Sequence, residues 1–414
     1  MSRTALCALA ALGLLVARLD GAPLAEKYLL EGKLAEGEKA LQKRLAEKPD
    51  DDEARFGLAV VQFFAGFERL GTSLYKHGLK TTSAFGVLPA LRGHFPENPK
   101  PERLTHDAAR QFLQTWVADL DRAGVTLDGI KDEKVKLPLP LGRIKIDLLG
   151  VGKPVSAALL LGATDAQAGK LAEAFVISFD RGDAAWLRGY CHLLAAWGEF
   201  VLAMDTQRLF DCVAHRLFAA ADTPFAFLRE EELVPKAPGG PLGYDQAFWT
   251  DVVAAVHLCL RAPVKEPERL KAVLKHLEGM VANGKAMWKY ILAETDDDHE
   301  WIPNPRQKSV TGFPVNQAMI DSWRSTLDEV ERVLQGKTLL PFWRGKPGQI
   351  GVNLRRAFTD PPKEVDFVLW VQGTAAAPYL EKGTFTPLAD PKTVDGLSGV
   401  FGGRRFFGYA FWFN

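Results

Sequence analysis

The chain has few cysteines and no excess of charge of either sign. Among its 414 residues there are four cysteines, and Lys+Arg and Asp+Glu are equal at 51 each. Four widely spaced cysteines do not form a disulfide framework, which needs a regular set of closely spaced cysteines in a short chain. Balanced charge argues against a nucleic-acid partner, and 47% hydrophobic residues argue against disorder. We therefore expect a folded globular protein that binds no nucleic acid.

Long apolar runs are also missing, except near the N-terminus. Residues 4–17 are mostly apolar and follow Arg3. Such a run is too short to cross a bilayer comfortably but suits the core of a signal peptide. We predict that residues 1–22 are a signal peptide and that the protein is exported, either periplasmic or extracellular. The alternative is an apolar N-terminal helix packed on the fold of a cytoplasmic protein. We predict no integral membrane span.

Short catalytic and ligand-binding motifs are missing as well. There is no Gly-x-Ser-x-Gly, no His-Glu-x-x-His and no Cys-x-x-Cys. The segment GVGKPVS at 150–156 lacks the third glycine of a dinucleotide site and the Lys-Ser/Thr pair of a phosphate loop. We interpret it as a turn. The sequence thus predicts no cofactor, no metal and no catalytic residue, and it favours a protein that is not an enzyme.

An internal repeat is present near the N-terminus. Residues 24–79 match themselves at a shift of 34 residues. Small residues recur where two packed helices approach closely, and large apolar residues recur where the space between them must be filled. The matching pairs include Leu24 with Leu58, Gly32 with Gly66, and Gly37 with Gly71. Between the copies, KPDDDEA ends one helix at a proline and supplies aspartates that cap the next. A period of this length predicts two helix–turn–helix units.

These residues resemble the tetratricopeptide repeat family over about residues 20–85. Pro49 and the aspartates after it are similar to the turn between repeats of that family, and Gly71 and Tyr75 to its small and aromatic positions. The resemblance implies helical hairpins that bind a protein or a peptide. Only two copies are visible, whereas about three are needed to bury a continuous core. We therefore expect the unit, assigned to residues 23–85, to pack on the following helices.

The repeat register places an apolar face on the inner side of this unit. A clamp for a peptide C-terminus needs basic and amide side chains, which this face does not carry. Two alternatives remain, namely that the face holds an apolar peptide or that it packs on the rest of the chain. The candidate peptide-binding residues are Glu53, Phe56, Val60 and Phe63.

The remainder is predicted to be mainly α-helical with small β elements. We expect a helical body at 104–335, because long amphipathic or wholly apolar segments dominate it. One helix, after Asp183, is apolar around most of its circumference and should be buried, and three more are expected at about 245–261, 266–293 and 315–335. Alternating apolar residues predict a β-hairpin at about 134–149, and the breaker-rich stretch at 233–243 is a possible domain boundary. Residues 341–414 are predicted to be a mixed Gly/Pro-rich and β region. Its aromatic end, GGRRFFGYAFWFN, is predicted to be a strand.

One acidic stretch, ETDDDHEWIPNP at 294–305, stands at the predicted end of a helix. Negative charge there opposes the helix dipole. We interpret the stretch as a loop, with a cation site or a catalytic carboxylate as alternatives; its candidate residues are Asp296, Asp298 and Glu300. The sequence therefore favours an exported interaction or scaffolding protein. The alternative is a carboxylate-dependent hydrolase or sugar-active enzyme, which requires these side chains to meet another carboxylate or a histidine.

Overall fold

The fold is described from a computed structural model in residues 22–80, 96–160, 175–229, 246–346 and 348–413. It is mainly α-helical with a few small antiparallel sheets, which confirms the predicted fold class. The predicted signal peptide, up to residue 21, and the possible boundary at 233–243 lie outside these residues. In the described part of the chain, every helix is too short or too polar to cross a bilayer.

The N-terminal unit contains one helical hairpin and one long helix. Helices α1 (Leu24–Glu31) and α2 (Leu34–Glu47) form the hairpin, and after a short turn α3 (Asp52–Lys76) runs as one unbroken helix. The Asp51 side chain caps α3 by accepting a hydrogen bond from the Ala54 amide at 3.0 Å. The first copy of the repeat is therefore a hairpin, whereas the second copy is a single helix.

Two glycines at the same position of the repeat differ in the same way. Gly32 adopts a left-handed conformation, with φ of 71°, and ends α1. Gly66 instead stays within α3, where a Cβ atom would lie 3.0 Å from the Cβ of Asp119. Gly66 therefore permits a close helix–helix contact rather than a turn, and the second predicted hairpin is not formed.

The centre of the molecule is a layer of long helices. Helix α4 (His106–Asp128) packs between α3 and α6 (Arg181–Ala203), and α6 packs along α9 (Pro267–Ala293). Helix α6 is buried over most of its circumference, as its sequence predicted. The helices expected at 245–261, 266–293 and 315–335 are present within two residues of those bounds. The remaining helices are α5 (Ala157–Leu160), α7 (Gln207–Leu217), α8 (Gln246–Leu260), α10 (Gln317–Leu334), α11 (Leu354–Thr359), α12 (Phe367–Gln372), α13 (Pro391–Val400) and α14 (Phe406–Phe413).

The sheets are short and antiparallel, and none contains the predicted hairpin. Strand β1 (Leu137–Pro140) pairs with β4 (Val176–Phe179), and β2 (Lys145–Ile146) pairs with β3 (Val155–Ser156). The prediction of a hairpin at 134–149 is therefore wrong, because its two strands exist but do not pair with each other. The residues between these two strands, Leu141–Arg143, form a 3-10 helix. The other pairings join β5 (Arg261–Pro263) to β8 (Glu364–Asp366), and β7 (Gly351–Val352) to both β6 (Leu340–Pro341) and β9 (Leu380–Glu381).

The C-terminal segment predicted to be a strand is the helix α14. Its buried residues, Tyr409 and Phe413, are four apart and so lie on one helical face. The Phe413 ring contacts the rings of Trp288 and Trp323, with centroids 4.8 and 5.9 Å away. The prediction was wrong because a short run of aromatic residues satisfies the strand pattern and the helix pattern equally well.

Candidate functional site

Three carboxyl groups meet where α9 ends and α6 begins. Glu294 follows the last residue of α9, and Asp180 is the N-cap of α6. Glu300 reaches the same place from the loop that continues after Glu294. One oxygen from each of the three lies within 4.8 Å of the others. Asp180 and Glu300 are buried and Glu294 is partly buried.

The start of α6 holds Asp180 in place. One oxygen of Asp180 accepts hydrogen bonds from the amides of Gly182 at 2.6 Å and Asp183 at 3.1 Å. The Asp183 side chain accepts in turn from the Asp180 amide at 3.2 Å, which completes a capping box. Burial raises the pKa of the Asp183 carboxyl well above its usual value, and the nearby charge of Asp180 adds to this effect.

The other two carboxyl groups have pKa values near or above neutrality. Burial raises the pKa of Glu294 to about 9, and its hydrogen bond to Asp180 adds to the shift. Burial raises the pKa of Glu300 to about 7, against the lowering effect of the Asp298 amide, which donates to it at 2.9 Å. At neutral pH Glu294 is therefore protonated. Such a cluster can exchange protons near neutrality, and carboxylate oxygens are also ligands for hard cations.

The two candidate aspartates of the loop point elsewhere. Asp296 and Asp298 are exposed, and both lie beside Lys136, which forms an ion pair with Asp296 and lies 3.8 Å from Asp298. Their hydrogen bonds to Lys136 and to His299, respectively, lower the pKa of Asp296 and of Asp298. Of the three candidates in this loop, only Glu300 joins other carboxyl groups.

The loop itself is ordered by side chains that bind its backbone. Arg306 donates to the Glu294 carbonyl at 2.7 Å, and Gln307 donates to the Asp296 carbonyl at 2.7 Å. Asn304 is buried and donates to the Ile291 carbonyl at 2.9 Å. These donors satisfy carbonyls at the C-terminal end of α9 and beyond it, and they offset the unfavourable negative charge there.

The site residues predicted from the sequence do not include Asp180, Asp183 or Glu294. A usable signal was present in FDRGD, because an acidic residue followed by another three positions later is typical of a capping box. That pattern marks the start of a helix. It does not show that the end of a helix about a hundred residues away lies beside it.

The predicted peptide-binding face is part of the core. Phe56 and Val60 are buried in the largest hydrophobic cluster, and Phe63 packs against that cluster. Glu53, at the start of α3, is exposed. The apolar side chains of this face therefore pack on the rest of the chain, which was the second of the two alternatives.

A groove lies further along the same helix, between α3 and α4. Its volume is about 480 Å³. A row of aromatic rings links it to the predicted face, because Phe67 contacts Phe63 at 5.1 Å and Trp116 at 5.8 Å between centroids. Side chains that line the groove include Arg69, Ser73, His77, Gln111, Phe112, Thr115, Trp116 and Asp119.

Two side chains that line this groove carry buried hydrogen-bond donors that have no acceptor in the described part of the chain. The Arg69 Nε donates to the buried Asp119 carboxylate at 2.7 Å, but the buried Nη2 of Arg69 has no partner within the described residues. The same holds for the buried indole nitrogen of Trp116. A buried donor without an acceptor costs about 1–3 kcal/mol. Both residues line the groove, so a ligand that brings oxygen atoms into it can supply the missing acceptors once the two side chains turn towards it.

Comparison with known proteins gives no relative. No protein-family model, curated protein or solved structure matches this chain. The resemblance to tetratricopeptide repeats therefore stays a prediction that rests on the residues quoted above.

Proposed function

We propose that this protein binds a peptide segment of a partner protein in the groove between α3 and α4. The observation that supports the proposal is that Arg69 and Trp116, two residues that line one open groove, each carry a buried donor that has no acceptor among the described residues. A peptide carries a carbonyl oxygen at every residue, so it supplies the missing acceptors. Its apolar side chains can contact the rings of Trp116 and Phe112.

Other features agree with a role in binding. One wall of the groove, on α3, belongs to the second copy of the repeat, and the resemblance associates such repeats with protein and peptide recognition. His77 stacks on Phe112, with the ring centroids 6.1 Å apart and 27° between the planes, which gives the end of the groove a flat wall. We propose that the protein acts after export, as an interaction or scaffolding component outside the cytoplasm.

Photo-crosslinking tests this proposal. Peptides are selected from a random displayed library on the full chain. A benzoyl-phenylalanine crosslinker then replaces Thr115, at the rim of the groove, or Thr250, on the remote helix α8. Both threonines are exposed and donate to a helical carbonyl, at 2.9 Å in each case, so they are matched. We expect selected peptides to crosslink at position 115 and not at 250. Equal crosslinking at both, or none at 115, contradicts the proposal.

A second candidate function is a carboxylate-dependent hydrolase. The convergence of Glu300 with Asp180 and Glu294, together with a pKa near 7 for Glu300, favours it. Against it, Glu300 is only 3% exposed, so a substrate atom reaches it only after the loop moves. Hydrolysis of a panel of glycoside and ester substrates that Glu300→Gln abolishes, with the fold unchanged, would support this candidate.

A further inference from the structure

An apolar stripe faces solvent along α8. Val253, Val256 and Leu260 are 67%, 52% and 38% exposed. Their spacing of three and then four residues places them on one face of the helix. A helix normally buries such a face against the rest of the protein, so this one is free to contact something else.

The stripe continues onto α12. Strands β5 and β8 follow α8 and precede α12, respectively, and Arg261 pairs with Asp366. The end of α8 and the start of α12 therefore lie side by side. On α12, Phe367, Val368 and Val371 are 42%, 57% and 76% exposed.

A tryptophan extends this surface. Trp343 is 55% exposed, and its indole nitrogen donates to the Val371 carbonyl at 3.0 Å. Together with the side chains of α8 and α12 named above, it forms what we call the apolar surface. Large exposed apolar side chains gathered on neighbouring elements mark an interaction site.

Charges around the apolar surface are predominantly positive. Arg344 and Lys346 lie one and three positions after Trp343 in the chain, and Lys363 precedes β8; all three are exposed. In the described residues none of them forms an ion pair. The nearest carboxylates along the chain are already engaged. Glu364 pairs with Arg261 at 2.7 Å, and Asp366 caps α12 through the Leu369 amide at 2.9 Å.

We propose that the apolar surface binds peripherally to a bilayer that contains anionic lipid. The valines and Phe367 would enter the boundary between headgroups and acyl chains, Trp343 would sit at the headgroup level, and Arg344 and Lys346 would contact lipid phosphates. Apolar burial combined with cation–anion attraction is how peripheral proteins reach stable membrane binding. The proposal is independent of the peptide groove, which involves α3 and α4.

Vesicle co-sedimentation of the full chain tests this surface. The probes are vesicles of phosphatidylcholine alone and of phosphatidylcholine mixed with phosphatidylglycerol. The test variant is Val371→Ser combined with Val368→Ser. The matched control is Val125→Ser combined with Val394→Ser, since Val125 is 74% exposed and Val394 is 49% exposed on other helices. All four side chains are substantially exposed, so both variants should fold, as thermal unfolding will verify.

The expected result is binding to the mixed vesicles that high salt weakens and that the test variant reduces several-fold, with the control unchanged. Arg344→Gln combined with Lys346→Gln should weaken binding to the mixed vesicles only. Absence of vesicle binding, or binding that the test variant leaves unchanged, overturns the proposal. Concentration-dependent dimerisation that the test variant abolishes also overturns it, because a second copy would then be the occupant.

Discussion

The carboxyl group of Glu294, at the end of α9, is hydrogen-bonded to that of Asp180, at the start of α6. The two residues join the ends of the most extensively packed helix pair. The contact requires a proton, because two ionised carboxylates with oxygens within 4.8 Å of each other repel in a buried setting. The stability of the protein is therefore linked to the protonation of Glu294.

Glu294→Gln should reduce the loss of stability at alkaline pH. The pKa of Glu294 is raised from its ordinary value of 4.5 to about 9, so the folded state holds the proton more tightly than the unfolded state does. The contribution is fully present below pH 4.5 and is lost as the pH rises towards 9. Glutamine keeps a donor towards Asp180 without titrating. We expect the variant to be more stable than the wild type near pH 9, by on the order of a few kcal/mol in urea unfolding.

The control for this prediction is Asp297→Asn in the same loop. Asp297 is exposed and accepts a hydrogen bond from the Lys308 amide, which an asparagine oxygen can also accept. This variant should follow the wild-type pH profile. If Glu294→Gln also follows that profile, Glu294 and Asp180 do not share a proton in the folded protein.

A second buried contact should make the stability of the protein depend on pH in the acid range. His192 and His276 join α6 to α9 through their Nδ1 atoms, 3.1 Å apart, and one of the two nitrogens must be unprotonated. Burial lowers the pKa of His192 from 6.5 to about 4, and the charge of His276 adds to this effect. Because the unfolded state binds the proton more tightly, this stability is present above pH 6.5 and is lost as the pH falls towards 4.

His192→Gln should therefore flatten the acid limb of the stability curve. Between pH 6.5 and pH 4 we expect the wild type to lose about 2–3 kcal/mol more than the variant in urea unfolding. The exposed His257→Gln is the control and should lose as much as the wild type. Parallel acid limbs for His192→Gln and the wild type would show that the histidine contact does not control acid stability.

The sequence predicted the helices well, because a long periodic pattern reports burial on one face directly. It predicted the strands at 137–146 but not their partners, since alternation shows which side is buried and not which strand lies alongside. Gly32 and Gly66 show the same limit. They occupy equivalent places in the repeat, yet Gly32 ends a helix, whereas Gly66 lies inside one and packs against Asp119 of a different helix. The carboxyl cluster depends on such long-range contacts, so only its Glu300 was among the predicted site residues.

Gly71→Ala should destabilise the protein although alanine favours a helix. A Cβ atom at Gly71 would lie 2.7 Å from the backbone oxygen of Leu148, which cannot move alone. We expect a loss of about 1–3 kcal/mol in chemical unfolding. Gly396→Ala, in α13, meets nothing within 4 Å and should be neutral or stabilising by up to about 1 kcal/mol. Equal effects of the two changes would mean that α3 does not pack on this loop.

Asp119→Asn should weaken the wall of the groove. Asp119 is buried and accepts from both Arg69 and Arg122, so its neutral replacement leaves two adjacent cations without their shared anion. We expect a loss of about 1.5–3 kcal/mol, which thermal and urea unfolding will measure. The control Asp107→Asn changes an exposed residue of the same helix and should cost less than about 1 kcal/mol. A small effect at Asp119 would mean that this charge network is not formed.

The affinity of the groove for a library-selected peptide is the decisive test of the proposal that a peptide binds between α3 and α4. Fluorescence anisotropy gives Kd for the wild type, for Thr115→Trp, which fills the groove at its rim, and for Thr250→Trp, which adds the same side chain on α8. Loss of contact area and of the acceptors for Arg69 and Trp116 should weaken binding at least tenfold in Thr115→Trp. Thr250→Trp should bind like the wild type. Unchanged binding by Thr115→Trp, with the fold intact, would contradict the account.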